Sequence, residues 1–301
     1  IIFYLTGDKN FDVEAPMNLR LFGLVFQYII FKIVPCIELT RVNIDIPYEN
    51  YTCAVFSSAL MNYICLCGIM SISFTYCYKK IGLSLAESFL SMFFCYIFIE
   101  HVEAFTLDRS SILYLSLIIY FLDNKKICIF LIILASLVNE KIVFAITILF
   151  FINFFLNKNL NHKIYFFSSI LSCFLVVLVF LSYTKLLGHG YWGENSPGGF
   201  YNTFLTKGYL RMIAMFTSPS GYSNGFLPLL FCILPYVISS ILKIENKFFS
   251  NYEILIPLAL SLFATGGGTE QIGRYAMYSI PIFVPVLSHV LVNIINKFEK
   301  K

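Results

Sequence analysis

Three carboxylates crowd the start of the chain, Asp8, Asp12 and Glu14, with Pro16 close behind them. A carboxylate within hydrogen-bond reach of an acceptor hydroxyl can take its proton while the oxygen attacks a carbon. Three solvated loop acids would show the same pattern. Near the other end, Thr265-Gly266-Gly267-Gly268-Thr269-Glu270 is followed by Gly273-Arg274-Tyr275. Successive free N–H groups at a helix start, with a guanidinium beside them, make an anion site. Arg274 suits either a phosphate ligand or an internal carboxylate such as Glu270.

Other ionisable residues stand at the edges of apolar runs. Asp108-Arg109 precedes one such run; Asp108 there can cap exposed helical N–H groups and favour the dipole. Glu140 lies in Val138-Asn139-Glu140-Lys141, between two short apolar stretches. An acid at membrane depth pairs or faces water, and Lys141 or the distant Arg109 could serve as its counter-ion. Residues 17–37 form an apolar run that carries Arg20, Gln27 and Lys32. Residues 188–222 hold seven of the sixteen glycines and the only Trp, a density that marks irregular backbone. Within that stretch Phe200, Tyr201, Phe204 and Tyr209 mix with Lys207 and Arg211. Such a mixture fits an aromatic anchor at headgroup depth, or a lid that touches a lipid phosphate.

Several chemistries are absent. His101, His162, His189 and His289 are far apart, and the sequence has no His-x-x-x-His, no Ser-His-Asp order and no phosphate-binding Gly-Lys-Ser/Thr loop. A zinc protease or an ATP-driven pump is therefore not indicated. The nine cysteines lie in or beside apolar runs, where Cys behaves as a small hydrophobe. Cys65-x-Cys67 lacks the second pair that a zinc site requires.

The composition sets the environment in which these residues must be positioned. Of 301 residues, 58% are hydrophobic, 18% aromatic and only 13% charged, with a mean hydropathy of +0.79. A soluble domain carries about 25% charged residues, so this chain has apolar surface that only lipid can face. The net charge of +4 is too small for a nucleic-acid-binding face that must neutralise many phosphates. An all-α, polytopic transmembrane helical bundle is predicted.

Hydrophobic runs near 51–77, 84–100, 110–122, 127–138, 142–156, 164–187, 226–243, 253–265 and 272–296 are the expected helices. The run 127–138 would reach only about 18 Å as a helix, too short to cross alone. No repeat and no Pro/Gly/Ser linker divides the chain, so residues 1–301 read as one transmembrane domain. The first residues, Ile1 to Leu5, read as the tail of a hydrophobic segment, which points to a further membrane helix upstream.

If the runs alternate, Lys79-Lys80, Lys125-Lys126, Lys158, Lys163, Lys243, Lys247, Lys297 and Lys300-Lys301 fall on one side, which is then cytoplasmic. Residues 1–50 become an outer loop with an interfacial helix, because a charge such as Arg20 in mid-bilayer costs at least a few kcal/mol. Residues 188–222 become a second outer loop.

The order of these features resembles the type C membrane glycosyltransferases, which move a sugar from a polyprenyl-phosphate carrier onto an acceptor outside the cytoplasm. The resemblance rests on the acidic first loop with Asp12-x-x-x-Pro16-x-x-x-Arg20 and on Asp108 at a helix start. It rests further on Leu-Val-Asn139-Glu140 and on Gly273-Arg274-Tyr275 before a helix with Pro281. It implies a catalytic acid at Asp12, with Asp8 or Glu14 as substitutes, and a carrier phosphate held by Arg274 with help from Arg20 or Arg211. Asp108, Arg109, Glu140 and Glu270 would support that site. The implied partners are a polyprenyl-phosphate-linked sugar, a glycan, lipid or protein acceptor, and membrane lipid. The implied location is the plasma membrane of a bacterium or archaeon. The chemistry needs no cofactor, although a divalent cation is compatible with it. No adjacent Asp-Asp or Asp-Glu pair is present, a departure from the family's pattern. A polysaccharide polymerase or ligase, for which His189 would matter, and a lipid-linked oligosaccharide transporter are the competing expectations.

Overall fold

The computed structural model describes residues 21–33, 49–100, 108–157, 160–187, 209–219, 222–244, 251–266 and 275–299. These residues form an all-α structure in which ten helices run to ten residues or more. In chain order they are α1 (Leu21–Ile33), α2 (Glu49–Thr75), α3 (Leu85–Glu100), α4 (Asp108–Tyr120), α5 (Lys125–Leu134), α6 (Glu140–Asn157) and α7 (Leu160–Leu187). A nine-residue α8 (Tyr209–Thr217) follows, then α9 (Leu227–Ile241), α10 (Leu255–Gly266) and α11 (Ile280–Glu299). Each apolar run picked out by hydropathy coincides with one of these helices, because backbone groups removed from water must pair within their own segment.

Three stretches are long and apolar enough to cross a membrane: Phe56–Ile81, Asn161–Val179 and Met277–Glu299. Their burial separates their roles. The last is 61% buried and forms the centre of the bundle, whereas the middle one is only 17% buried and runs along its edge. The start of α11 is covered on every side, from Ile280 through Val286. The outer face of α7 instead shows Phe167, Ile170, Leu171 and Phe174 to the surroundings. In water those side chains would be a liability, but lipid makes them ordinary. Helix α1 packs through Ile30 and Phe26 against Met61 and Cys65 of α2. With 13 residues it is about 20 Å long.

Small side chains let the helices approach closely. Gly68 of α2 sits against Leu113 of α4, where an added Cβ would lie 2.9 Å from a Leu113 methyl carbon. Ser73 of α2 meets Ser91 of α3 at 2.7 Å, with both side chains buried. Other serines, such as Ser116 and Ser288, return their hydroxyls to the carbonyl four residues earlier. Their polarity is thus satisfied within the helix.

The bundle has two distinct ends. At one of them α2 closes in a π-helical turn, Tyr76–Ile81, stopped by Gly82 at φ 76°; a left-handed residue there favours glycine. Lys80 of that turn reaches Asp123, between α4 and α5, at 2.7 Å. The Tyr165 hydroxyl of α7 donates to the Leu122 carbonyl at 2.8 Å. Lys297 of α11 donates to the Leu242 carbonyl just past α9 at 3.3 Å. Glu87 near the start of α3 meets His289 of α11, which ties the two groups of loops to one end. Lys79, Lys80, Lys125, Lys126, Lys163, Lys243 and Lys297, which alternation puts on one side, are gathered there, whereas Lys158, Lys247, Lys300 and Lys301 lie outside the described residues. The opposite end collects the starts of α4, α6 and α11.

Candidate functional site

Three helix starts meet at that opposite end. Helix α5 finishes in a 3-10 turn, Ala135–Leu137, and Asn139 then begins α6. Its backbone carbonyl accepts from the amides of Ile142 and Val143, and its side-chain oxygen accepts the Lys141 N–H at 3.0 Å. Asn139 is therefore a helix N-cap. Its Nδ2 donates to Ser111 Oγ of α4 at 3.0 Å and to Tyr278 Oη, in the 3-10 turn that enters α11, at 3.3 Å. One buried amide thus joins three segments with all its donors and its acceptor in use.

Lys141 is packed against the same tyrosine. Its ammonium donates to Tyr278 Oη at 3.4 Å and lies 4.1 Å from the centre of the Tyr275 ring and 5.0 Å from that of Tyr278. A cation over aromatic faces gains electrostatically, most where water is excluded, and Lys141 is only 5% exposed. Arg109, two residues before Ser111, is 4% exposed, and Ser110 and Ser111 are buried as well. Two cations, two tyrosine rings, an amide and two serines therefore occupy one end of an otherwise apolar bundle. Glu140, the first residue of α6, is half-buried beside them.

Arg109 and Glu140, chosen from sequence as supporting residues, come to this end together. Asp108 opens α4 and Arg211 lies in α8, both described by their backbone only. Asp8, Asp12, Glu14, Arg20, Glu270 and Arg274 lie outside the described residues. Arg274 is the residue immediately before Tyr275, whose ring holds Lys141. Lys141 reaches Tyr278 and Tyr275.

Sequence reasoning passed over Ser111 and Tyr278. An Asn directly before an apolar run is a helix-start signal, but nothing in the spacing ties Asn139 to residues 28 positions before it and 139 after it.

A second polar cluster lies at the lysine-rich end, where sequence offers Glu87 as a charge suited to a transporter but does not join it to His289. Ser84 and Glu87 form a capping box. The Glu87 carboxylate accepts the Ser84 N–H at 2.8 Å and the Ser84 hydroxyl at 2.6 Å, while Ser84 Oγ accepts the Glu87 N–H at 3.3 Å. Ser-x-x-Glu before an apolar run is a legible sign of such a box. The other Glu87 oxygen meets His289 Nδ1 at 2.8 Å. Asn293 donates to the His289 carbonyl at 2.8 Å and lies beside the imidazole.

Among the described residues, no group of three or more His, Cys, Asp or Glu side chains is placed to hold a metal ion. Comparison of the chain with protein-family models, with curated proteins and with solved structures finds no match.

Proposed function

We propose that this chain is a membrane glycosyltransferase that moves a sugar from a polyprenyl-phosphate carrier to a glycan, lipid or protein acceptor. The observation that carries the reading is the burial of Arg109 and Lys141 at one end of an apolar bundle. From the same end Tyr275, the residue after Arg274, leads into α11. Buried cations within an apolar helical bundle are expensive and mark functional sites, and arginine and lysine are the side chains that recognise phosphate.

In the proposed reaction the acceptor oxygen attacks the anomeric carbon, forming the new C–O bond as the bond from that carbon to the phosphate oxygen breaks. The electron pair leaves with the phosphate, and the acceptor proton passes to the Asp12 carboxylate, with Asp8 or Glu14 as the alternative base. Arg274, assisted by Arg20 or Arg211, steadies the departing phosphate. Arg109 and Lys141 supply the positive potential around it. No nucleic acid and no obligatory cofactor enters this scheme.

The test is transfer in liposomes with a panel of polyprenyl-phosphate sugars. Asp12→Asn should lower the rate at least about 100-fold, and Arg274→Ala by a comparable factor. Full transfer by both variants would overturn the residue roles. The buried Glu87–His289 pair favours a second reading, a lipid-linked oligosaccharide transporter, since ionisable pairs inside a bundle also line transport paths. Movement of a labelled lipid-linked sugar across the bilayer with no transfer to any acceptor would decide for that reading.

A further inference from the structure

The lysine-rich end carries a feature outside the proposed reaction. A cavity of about 570 Å³ lies where the π-turn of α2, the end of α4 and the start of α5 come together; Lys80, Tyr120, Asp123, Asn124, Lys125 and Lys126 line it. Three lysines and one carboxylate are among the lining residues, and that carboxylate is engaged by Lys80 at 2.7 Å. Lys80 also lies 5.6 Å from the centre of the Tyr120 ring, which fixes one wall of the cavity.

Lys125 and Lys126 are the first two residues of α5, and no acid accompanies them in that turn. Positive side chains are unfavourable at the positive end of a helix dipole. The cavity therefore has the electrostatics of a site for an anion. Beyond the lysines the surface of α5 turns apolar. Ile127 is 38% exposed and Phe130 61% exposed. Lys126 and Phe130, four residues apart, share one helix face. A charged pocket thus opens onto an apolar track on the same helix.

We propose that this cavity binds the phosphate headgroup of an anionic phospholipid, whose acyl chain lies along Ile127 and Phe130. Lys125 and Lys126 contact the phosphate, and Lys80, held by Asp123, closes the side of the pocket.

The full chain in phosphatidylcholine nanodiscs, doped with spin-labelled phosphatidylglycerol or spin-labelled phosphatidylcholine, tests the proposal by the immobilised fraction of each label. The anionic label should be retained about tenfold over the zwitterionic one, and Lys125→Gln/Lys126→Gln should abolish most of that preference. Lys79→Gln, at the same end but outside the cavity, should leave it intact. Phe130→Ser should weaken retention with the lysines in place. Equal losses from Lys79→Gln and the cavity variants would overturn the proposal in favour of general surface attraction. Displacement of the label by millimolar inorganic phosphate, with Phe130→Ser silent, would overturn it in favour of a free-phosphate site. Lys80→Gln supplies an independent reading of the cavity should the double variant fail to fold.

Discussion

Glu87 and His289 are 202 residues apart in sequence and meet at 2.8 Å between α3 and α11. Glu87 at the same time completes the capping box with Ser84, so one carboxylate both starts α3 and fastens it to the central helix. Side chains that are 10% and 16% exposed are screened little by solvent, and removal of one partner strands the other. His289→Ala is expected to lower stability by about 2–3 kcal/mol, and Glu87→Ala by about 1 kcal/mol more through loss of the cap. Combined, the two changes should cost clearly less than their separate effects added together. Thermal unfolding in detergent of the two single variants and the double variant provides the measurement; strict additivity would show that the contact does not hold α3 to α11.

Asn139 invites a parallel experiment at the other end. Its side chain serves Ser111, Tyr278 and the Lys141 amide together. Asn139→Ala removes a helix cap and one buried hydrogen bond to each of Ser111 and Tyr278, a loss of about 2–4 kcal/mol. Asn139→Asp keeps the acceptor that caps α6 but loses the amide donors, so it should fall between wild type and Ala. Tyr278→Phe should cost about 1–2 kcal/mol and lessen the damage done by Asn139→Ala. Equal stability for Asn139→Ala and wild type would show that the three helix starts are held together by apolar packing alone.

The helices were legible because helices with broad apolar faces are written as uninterrupted apolar runs, and most edges of those runs fall within a few residues of the observed ends, the start of α11 excepted. Helix α5 shows this well, with the run 127–138 realised as Lys125–Leu134 and a 3-10 turn to Leu137. The grouping of the lysine loops was legible too, since alternation of spans needs only a count. Side-chain partners were not. Asn139 could be read as a helix start from its neighbours, but its meeting with Tyr278 depends on how α11 threads through the bundle. The contact of Lys141 with Tyr275 and Tyr278 was equally hidden, because it too depends on where the start of α11 lies. Of the residues given roles from sequence, Arg109 and Glu140 come to one end. Asp12 and Arg274 stand out by residue type, local sequence and resemblance, none of which carries a distance between them.

Gly68 and Leu113 offer a test of how tightly α2 and α4 are packed. A Cβ on residue 68 would come within 2.9 Å of a Leu113 methyl carbon, closer than carbon atoms tolerate. That methyl is the end of a flexible, half-buried side chain and can rotate aside. Gly68→Ala is therefore expected to change stability by less than about 1 kcal/mol, the steric cost offsetting the gain in helix propensity. Gly68→Leu cannot be absorbed that way and should cost about 3 kcal/mol or more by pushing the helices apart. Adding Leu113→Ala to Gly68→Leu should recover part of the loss. Thermal midpoints in one detergent, compared across the series, separate these outcomes, and indifference to Leu at position 68 would mean that the two helices do not approach as described.

Lys243 makes the opposite kind of prediction, a substitution that should help. Past the end of α9 its φ is 50°, a left-handed conformation in which a side chain crowds its own carbonyl. The hydrogen bonds explain why it is held there. The Ile244 N–H donates to the Ser239 carbonyl at 3.0 Å and the Lys243 N–H to that of Ser240 at 3.4 Å, the pairing that closes a helix through a left-handed residue. The local sequence Ser-Ser-Ile-Leu-Lys supplies no glycine for the position. A left-handed non-glycine residue costs about 1–2 kcal/mol, and the extra freedom of glycine in the unfolded chain returns about half of that. Lys243→Gly should therefore stabilise the chain by about 0.5–1 kcal/mol, and Lys243→Asn by less, since asparagine tolerates the conformation only in part. Lys243→Val should destabilise it, because a β-branched side chain is the worst fit to positive φ. Unfolding midpoints that rank Gly above Asn, Asn above Lys and Lys above Val would establish the left-handed closure. A ranking with Val equal to Gly would show that the helix ends in some other way.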